Sequence, residues 1–157
     1  MILGRGGAGK STLSASLGGI SGLPVIELDQ HFWQPGLEAM PPEQWAAVQR
    51  ALTQSESWIM DGDLGPYDVL DVRLAKADTV ILLDFSFWRC AWRALRRSRE
   101  RADFWLWLWS WRRRSRPLLL AAITEHADKA DLHVFRSPHA LTRFLENVTT
   151  SGTQHRP

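Results

Sequence analysis

The chain opens with Met1-Ile-Leu-Gly-Arg-Gly-Gly-Ala-Gly-Lys-Ser-Thr12, and this stretch decides the fold. Gly4, Gly9, Lys10 and Ser11 fill the fixed places of the pattern G-x-x-x-x-G-K-[ST], which is typical of loops that bind phosphate. The apolar residues before the loop can end a buried strand, and residues 11–17 contain no Gly or Pro and can form a helix. The sequence therefore predicts a strand, a phosphate-binding loop and a helix, in that order.

Each residue type in this loop has a role in binding phosphate. Glycines allow backbone turns that a side chain would prevent, so that successive N–H groups can point at phosphate oxygens. The helix adds the positive end of its dipole. Lys10 would contact the β- and γ-phosphates, and the Ser11 hydroxyl would bind Mg²⁺. The residues expected to bind the nucleotide here are Gly4, Gly6, Gly7, Ala8, Gly9, Lys10, Ser11 and Thr12.

Length and composition are typical of one soluble globular domain. The 157 residues are enough for a single core, and 45% of them are hydrophobic and 23% charged. Cys90 is the single cysteine and cannot form an internal disulfide. We find no export signal and no apolar run long enough to span a bilayer, and we therefore expect a cytoplasmic protein with no membrane partner.

The charge distribution is uneven along the chain. Residues 89–116 include ten arginines and only two acidic residues, which gives this segment a net charge of +8 and leaves −6 for the rest. Proteins that coat nucleic acid nonspecifically are usually basic over the whole domain. A single basic segment instead favours a local anionic ligand, although for any one arginine a solvated helix face is the more common role.

Further apolar runs alternate with helical patterns. Strands are expected at 24–29, 58–61, 79–84 and 132–136, with a loop at 30–40 and a turn-rich segment at 63–78. Helices are expected at 43–54, 87–101, most of 103–126 and 139–147. The tryptophans between 105 and 111 alternate as in a strand, but the sequence around them favours a helix. We expect one domain over 1–148 and a disordered tail at 149–157.

Five short strands that alternate with helices indicate an α/β fold, with a parallel sheet covered by helices on both faces. Ligands of such folds bind beyond the carboxyl ends of the strands. Asp29, Asp61, Asp84 and Arg136 end or follow strands, and we expect them at the same edge as the loop. Arg136 is therefore a further candidate for nucleotide binding.

The chain resembles the adenylate-kinase-like P-loop proteins known as DNA topology modulation proteins. The matching stretches are spread over most of the chain: Gly4 to Thr12, Leu28-Asp29 through Pro35-Gly36, Trp58-Ile-Met-Asp61-Gly62, Arg73-Leu74, Ala77 to Asp84, Arg112-Arg-Arg-Ser-Arg-Pro117 and Arg136-Ser-Pro138. The resemblance implies a nucleoside-monophosphate-kinase-like fold with strand order 2-3-1-4-5, and ATP and Mg²⁺ as ligands.

The resemblance also implies roles for individual residues. Asp61 would lie beside Ser11 and bind Mg²⁺, whereas Asp29 would lie on the acceptor side, as a proton acceptor or as a capping residue. Arg73 would contact the acceptor or a phosphate, and Asp84 reads as a cap or turn residue. The basic segment at about 97–116 would be a lid, in which Arg97, Arg112 and Arg116 are the candidate catalytic arginines.

Two departures leave the acceptor open. After the second and third strands this chain reads Gln30-His-Phe-Trp33 and Asp61-Gly-Asp-Leu-Gly65, where nucleoside monophosphate kinases carry arginine-containing motifs. We therefore expect a kinase that transfers the γ-phosphoryl group of ATP to a small molecule or a nucleotide. The alternatives are a nucleic-acid-associated regulatory ATPase and a nucleotide-binding module without catalysis.

Overall fold

The computed structural model describes residues 1–36, 38–97 and 102–153. Five strands form a parallel sheet: β1 (Ile2–Gly4), β2 (Val25–Glu27), β5 (Ile59–Asp61), β6 (Thr79–Leu83) and β7 (Asp131–Phe135). Their order across the sheet is β2-β5-β1-β6-β7, which is 2-3-1-4-5 when these five strands are counted along the chain. The predicted fold class and strand order are confirmed.

The helices lie between the strands in the order expected of an α/β fold. Their bounds are α1 (Lys10–Ser21), α2 (Leu28–Phe32), α3 (Pro42–Leu52), α4 (Leu70–Leu74), α5 (Phe87–Arg97), α6 (Ala102–Ser110), α7 (Ser115–His126) and α8 (Pro138–Thr153). A short 3-10 turn covers Gly65–Tyr67. The tryptophan run is helical in α6, as the surrounding sequence indicated, and the chain turns at residues 111–114.

Alternating residues of the central strands produce two apolar layers. Leu3, Val80 and Leu82 face a layer formed with α2, α3, α4 and α7. Ile2 and Ile81 face the opposite layer, which is formed with α1, α5, α6 and α8. Because both faces of the central strands β1 and β6 are buried, these strands are almost continuously apolar rather than alternating in polarity.

Three boundaries differ from the sequence-based prediction. The second strand ends at Glu27, so that Asp29 lies in the short helix α2 rather than at a strand end. The segment expected to be a loop contains α2 and a small hairpin of β3 (Trp33–Gln34) and β4 (Glu38–Ala39). Helix α8 continues to Thr153, so the expected disordered tail is wrong for 149–153, while residues 154–157 lie outside the described residues.

Candidate functional site

The phosphate-binding loop lies where the sequence placed it, between β1 and the N-terminus of α1. Helix α1 begins at Lys10, directly after Gly9, so the positive end of its dipole faces the loop. The Lys10 ammonium donates a hydrogen bond to the Gly4 carbonyl oxygen at 2.9 Å, and its side chain thus spans the loop. Backbone donors and one ammonium group are therefore gathered at a single place.

Two glycines of the loop are required by close packing. Gly7 has φ +73°, and a Cβ atom there would lie 2.3 Å from the Cys90 carbonyl oxygen in α5. A Cβ atom at Gly6 would lie 2.6 Å from Cε2 of Phe104 and 3.1 Å from Cζ3 of Trp107, both in α6. The loop is therefore held between α5 and the aromatic face of α6.

Asp61 ends β5 beside the loop, as predicted from the strand order. Its carboxylate is buried, with 4% of the residue exposed, and Oδ2 accepts a hydrogen bond from the Ser14 hydroxyl at 3.4 Å. Burial raises the pKa of Asp61, and this rise is partly offset by a hydrogen bond from Ser11 and by the charge of Lys10. Asp61 Oδ1 has no hydrogen-bond partner among the described residues.

This pair of oxygen donors fits a magnesium ion. Mg²⁺ is usually held by one or two protein oxygens together with substrate phosphates and water. The Ser11 hydroxyl and the unpartnered Asp61 Oδ1 are such donors at the edge of the loop. Within the described part of the chain, no cluster of three His, Cys, Asp or Glu side chains could hold a metal without a substrate.

A small pocket adjoins the other end of the loop. Its volume is about 110 Å³, and it lies between α1, the residues after β6 and the beginnings of α5 and α8. Its lining includes Thr12, Phe85, Arg89, Arg93 and Pro138. The Arg93 guanidinium lies over the loop, since a Cβ atom at Gly9 would be 3.1 Å from Nη2. Arg89 and Arg93 were not assigned a role from the sequence, although residues four positions apart lie on the same face of a helix.

Three of the predicted ligand arginines meet at a single carboxylate. Asp84 is 2% exposed, and its Oδ2 accepts a hydrogen bond from Arg116 Nε at 2.9 Å. Arg136 Nε lies 3.7 Å and Arg112 Nη2 lies 3.8 Å from the same oxygen. Asp84 is therefore the anchor of an arginine cluster, whereas the sequence suggested a cap or turn residue.

Arg73 and Asp29 lie in very different surroundings. Arg73 is fully buried, and its Nη2 group donates to Asp68 Oδ2 and, at 3.1 Å, to the Gly62 carbonyl oxygen. Asp29 lies exposed in the first turn of α2, where no side-chain capping bond forms, and its charge contributes to the raised pKa of Asp61. The acceptor roles of both residues stay predictions. Arg97 ends α5, and its side chain and residues 98–101 of the predicted lid lie outside the described residues.

Asp63 is a partly buried carboxylate that the sequence analysis did not assign. Its Oδ1 accepts a hydrogen bond from the Gly65 N–H at 3.0 Å, and its Oδ2 accepts one from Trp111 Nε1 at 3.3 Å. Burial raises the pKa of Asp63, while the charge of Lys10 and these two donors act in the opposite direction. Only its position two residues after a strand-end carboxylate could have drawn attention to it.

No protein-family model and no curated protein matches the sequence, whereas several solved structures share its fold. A sugar kinase from Janibacter sp. HTCC2649 is 16% identical with a TM-score of 0.56, over 98% of this chain and 90% of that one. A gluconokinase from Sinorhizobium meliloti 1021 is 13% identical with a TM-score of 0.55 over the same shares. A shikimate kinase from Aquifex aeolicus is 17% identical with a TM-score of 0.52, over 99% and 98%.

The chain has the fold of the P-loop kinases. At these identities the similarity concerns the fold alone. The narrower resemblance to DNA topology modulation proteins receives no support, and neither does a nucleic-acid partner, because these structures are of small-molecule kinases. No helix in the described residues is both long and apolar enough to cross a bilayer.

Proposed function

We propose that this protein is a kinase that transfers the γ-phosphoryl group of ATP to a hydroxyl or phosphate group of a small molecule. One observation carries the proposal: a complete phosphate-binding loop lies directly beside a buried carboxylate with a free oxygen, Asp61 Oδ1. A loop that served only structure would need neither Lys10 nor a carboxylate at this place. The fold shared with a sugar kinase, a gluconokinase and a shikimate kinase supports the same reaction class.

The two sides of the loop suggest how the substrates lie. The nucleoside end of ATP would lie toward the pocket beside Gly9, because Phe85 and Pro138 offer apolar surface and Arg89 and Arg93 offer cations near the phosphates. The phosphates would lie against the loop amides and Lys10. The acceptor would then approach from the opposite side, where Asp29, Asp63 and the end of β5 lie.

The chain supplies binding and charge stabilisation rather than a covalent intermediate. Phosphoryl transfer depends mainly on aligning the two oxygens and stabilising the charge that spreads over the phosphoryl group. Lys10 and the arginines Arg112, Arg116 and Arg136 are the cations that would stabilise this charge. Ser11 and Asp61 would hold Mg²⁺, which neutralises phosphate charge when it is bound. Asp29 is the proposed proton acceptor for a substrate hydroxyl, since its carboxylate is exposed.

The substitution Lys10→Ala tests this proposal. Lys76→Ala is a matched control, because Lys76 is exposed and follows the C-terminal end of α4. We expect a panel of hydroxylated and phosphorylated metabolites to contain an acceptor that raises ATP consumption well above background. Lys10→Ala should reduce that rate by about a hundredfold or more without lowering the unfolding temperature, whereas Lys76→Ala should not change it. A wild-type protein that binds ATP with Mg²⁺ but phosphorylates no acceptor would contradict the proposal.

A further inference from the structure

Arg5 occupies a variable place in the phosphate-binding loop, and its surroundings are unusual for an arginine. Only 1% of the residue is exposed. Its Nε and Nη1 groups have no hydrogen-bond partner within the described residues. Lys10, five positions later in the same loop, is hydrogen-bonded to the Gly4 carbonyl oxygen. The loop thus contains a second cation, which is buried and incompletely paired.

A buried guanidinium without partners destabilises a fold, because the charge loses its hydration. Burial accordingly lowers the pKa of Arg5. Asp84 attracts the charge, but its Oδ2 already has Arg116 at 2.9 Å, and Arg112 repels Arg5. An apolar side chain of similar length would fill the same space without this penalty.

We propose that Arg5 is an anion-binding residue of the loop, whose guanidinium pairs with an anionic oxygen that a substrate brings into the site. The inference rests on the proposed kinase function and deepens it. The ligand chemistry is a phosphate or carboxylate oxygen, because these groups accept the parallel hydrogen bonds that a guanidinium donates. Such an oxygen belongs either to the nucleotide or to an anionic acceptor, and the experiment separates these two sources.

Trp111 positions the Arg5 side chain. The indole is fully buried, and the Arg5 guanidinium carbon lies 5.0 Å from its ring centre, within the range of a cation–π contact. The indole N–H donates to Asp63, which fixes the ring. The Trp111 carbonyl oxygen accepts hydrogen bonds from the N–H groups of Ser115 at 2.9 Å and Arg116 at 2.8 Å. One residue therefore orients both Arg5 and the turn that carries Arg112 and leads into α7, where Arg116 lies.

Arg5→Met gives a readout that a purely structural residue would not give. Methionine keeps the length and can pack against the Trp111 ring, but it removes the buried charge. We expect the unfolding temperature of the ligand-free protein to rise by about 2–4 °C. Arg143→Met is the control, because Arg143 is exposed in α8 and its loss removes the same charge. It should leave the unfolding temperature within about 1 °C of the wild type.

Ligand binding is then measured by thermal shift in two arms. The first arm adds ATP with Mg²⁺. The second adds inorganic phosphate, in the presence of Mg²⁺ and a saturating nonhydrolysable ATP analogue, as a stand-in for an anionic acceptor. If Arg5 contacts the nucleotide, Arg5→Met should weaken the binding of ATP in the first arm by about tenfold or more. If Arg5 contacts the acceptor, Arg5→Met should weaken only the binding of phosphate in the second arm, by a similar factor. Trp111→Phe, which keeps a ring but removes the N–H group, should weaken the same arm less.

Two results would overturn the inference. A lower unfolding temperature for Arg5→Met would show that Arg5 supports the fold, and unchanged binding in both arms would show that it contacts no anion. Failure of the proposed function gives a different result, since the wild-type protein itself would then show no shift with ATP and Mg²⁺. In that case phosphate alone becomes the probe, and an equal shift for the wild type and Arg5→Met would overturn the inference.

Discussion

Replacement of Arg73 by methionine is expected to destabilise the fold rather than weaken the binding of an acceptor. The Arg73 and Asp68 side chains are 0% and 1% exposed, and the Nη2 group of Arg73 joins Asp68 Oδ2 to the Gly62 carbonyl oxygen. Asp68 follows the 3-10 turn, whereas Arg73 belongs to α4. The pair therefore connects α4 to the segment that begins at the end of β5 and contains Asp61 and Asp63.

The size of the effect follows from what the substitution leaves behind. Removal of one partner from a buried ion pair costs about 3–5 kcal/mol, because the other charge stays buried. Asp68 would keep hydrogen bonds from the Leu64 N–H at 3.3 Å and from Trp45 Nε1 at 3.4 Å, with Gln49 Nε2 at 3.5 Å. These donors still stabilise the carboxylate, so we expect a loss near 3 kcal/mol. For a domain of this size that loss lowers the unfolding temperature by about 6–12 °C.

A double-mutant cycle measures the pair directly. Urea unfolding of Arg73→Met, Asp68→Asn and the double variant should give a double variant that is less destabilised than the sum of the single variants, because no uncompensated charge remains. Arg143→Met again serves as the control for loss of a surface arginine. An Arg73→Met protein that unfolds like the wild type but has a raised acceptor KM would refute this reasoning and support the role of Arg73 predicted from the sequence.

Three further substitutions test the loop and its metal site. Because burial raises the pKa of Asp61, the folded protein favours the protonated carboxyl group, and the stability of the fold decreases as pH rises from 3.8 through the folded-state pKa. In urea unfolding at pH 7, Asp61→Asn should therefore be more stable than the wild type. Its binding of ATP should no longer depend on Mg²⁺. Gly7→Ala should lose about 1–3 kcal/mol in the same assay, since its φ is +73° and its Cβ would meet the Cys90 backbone. The Cβ atom of Gly6→Ala would meet the Phe104 side chain instead of backbone. Gly6→Ala should therefore weaken ATP binding in thermal-shift titrations, and the additional substitution Phe104→Ala should restore it. Equal urea curves for Asp61→Asn and the wild type would contradict the cost of burying the Asp61 charge. A Gly7→Ala protein as stable as the wild type would contradict the contact with the Cys90 backbone, and a failed rescue by Phe104→Ala would contradict the contact with Gly6.

The loop and the strands could be predicted because their signals are local. The loop pattern fixes Lys10 and Ser11 within one turn of α1, and apolar runs of three to five residues fix the strands. The family resemblance implied the strand order, and in that order Asp61 ends a strand next to the loop, where Ser14 and Ser11 contact it. The role of Ser11 and Asp61 in binding a metal stays a prediction.

The charged partners could not be predicted, because the groups that decide them are distant in sequence. Asp84 and Arg116 are 32 positions apart, and Asp63 and Trp111 are 48 apart. In a run of arginines, nothing local distinguishes one that pairs with a buried carboxylate from one in solvent. Asp29 was misplaced for a different reason, which is local: the apolar pattern continues past Glu27, but the chain turns into α2 there.

The Asp84 cluster supports the proposed role of its arginines in binding a ligand. One carboxylate lies within 4 Å of Arg112, Arg116 and Arg136, yet only Arg116 makes a hydrogen bond to it, and 59% and 71% of the side chains of Arg112 and Arg136 stay exposed. A single negative charge cannot neutralise three guanidinium groups, so the cluster keeps a positive charge beside the loop. Solvent-exposed ion pairs contribute at most about 1 kcal/mol to stability. In the proposed kinase, Asp84 would keep the two exposed arginines near the loop without using their hydrogen-bonding groups, and these groups would be available to phosphate oxygens.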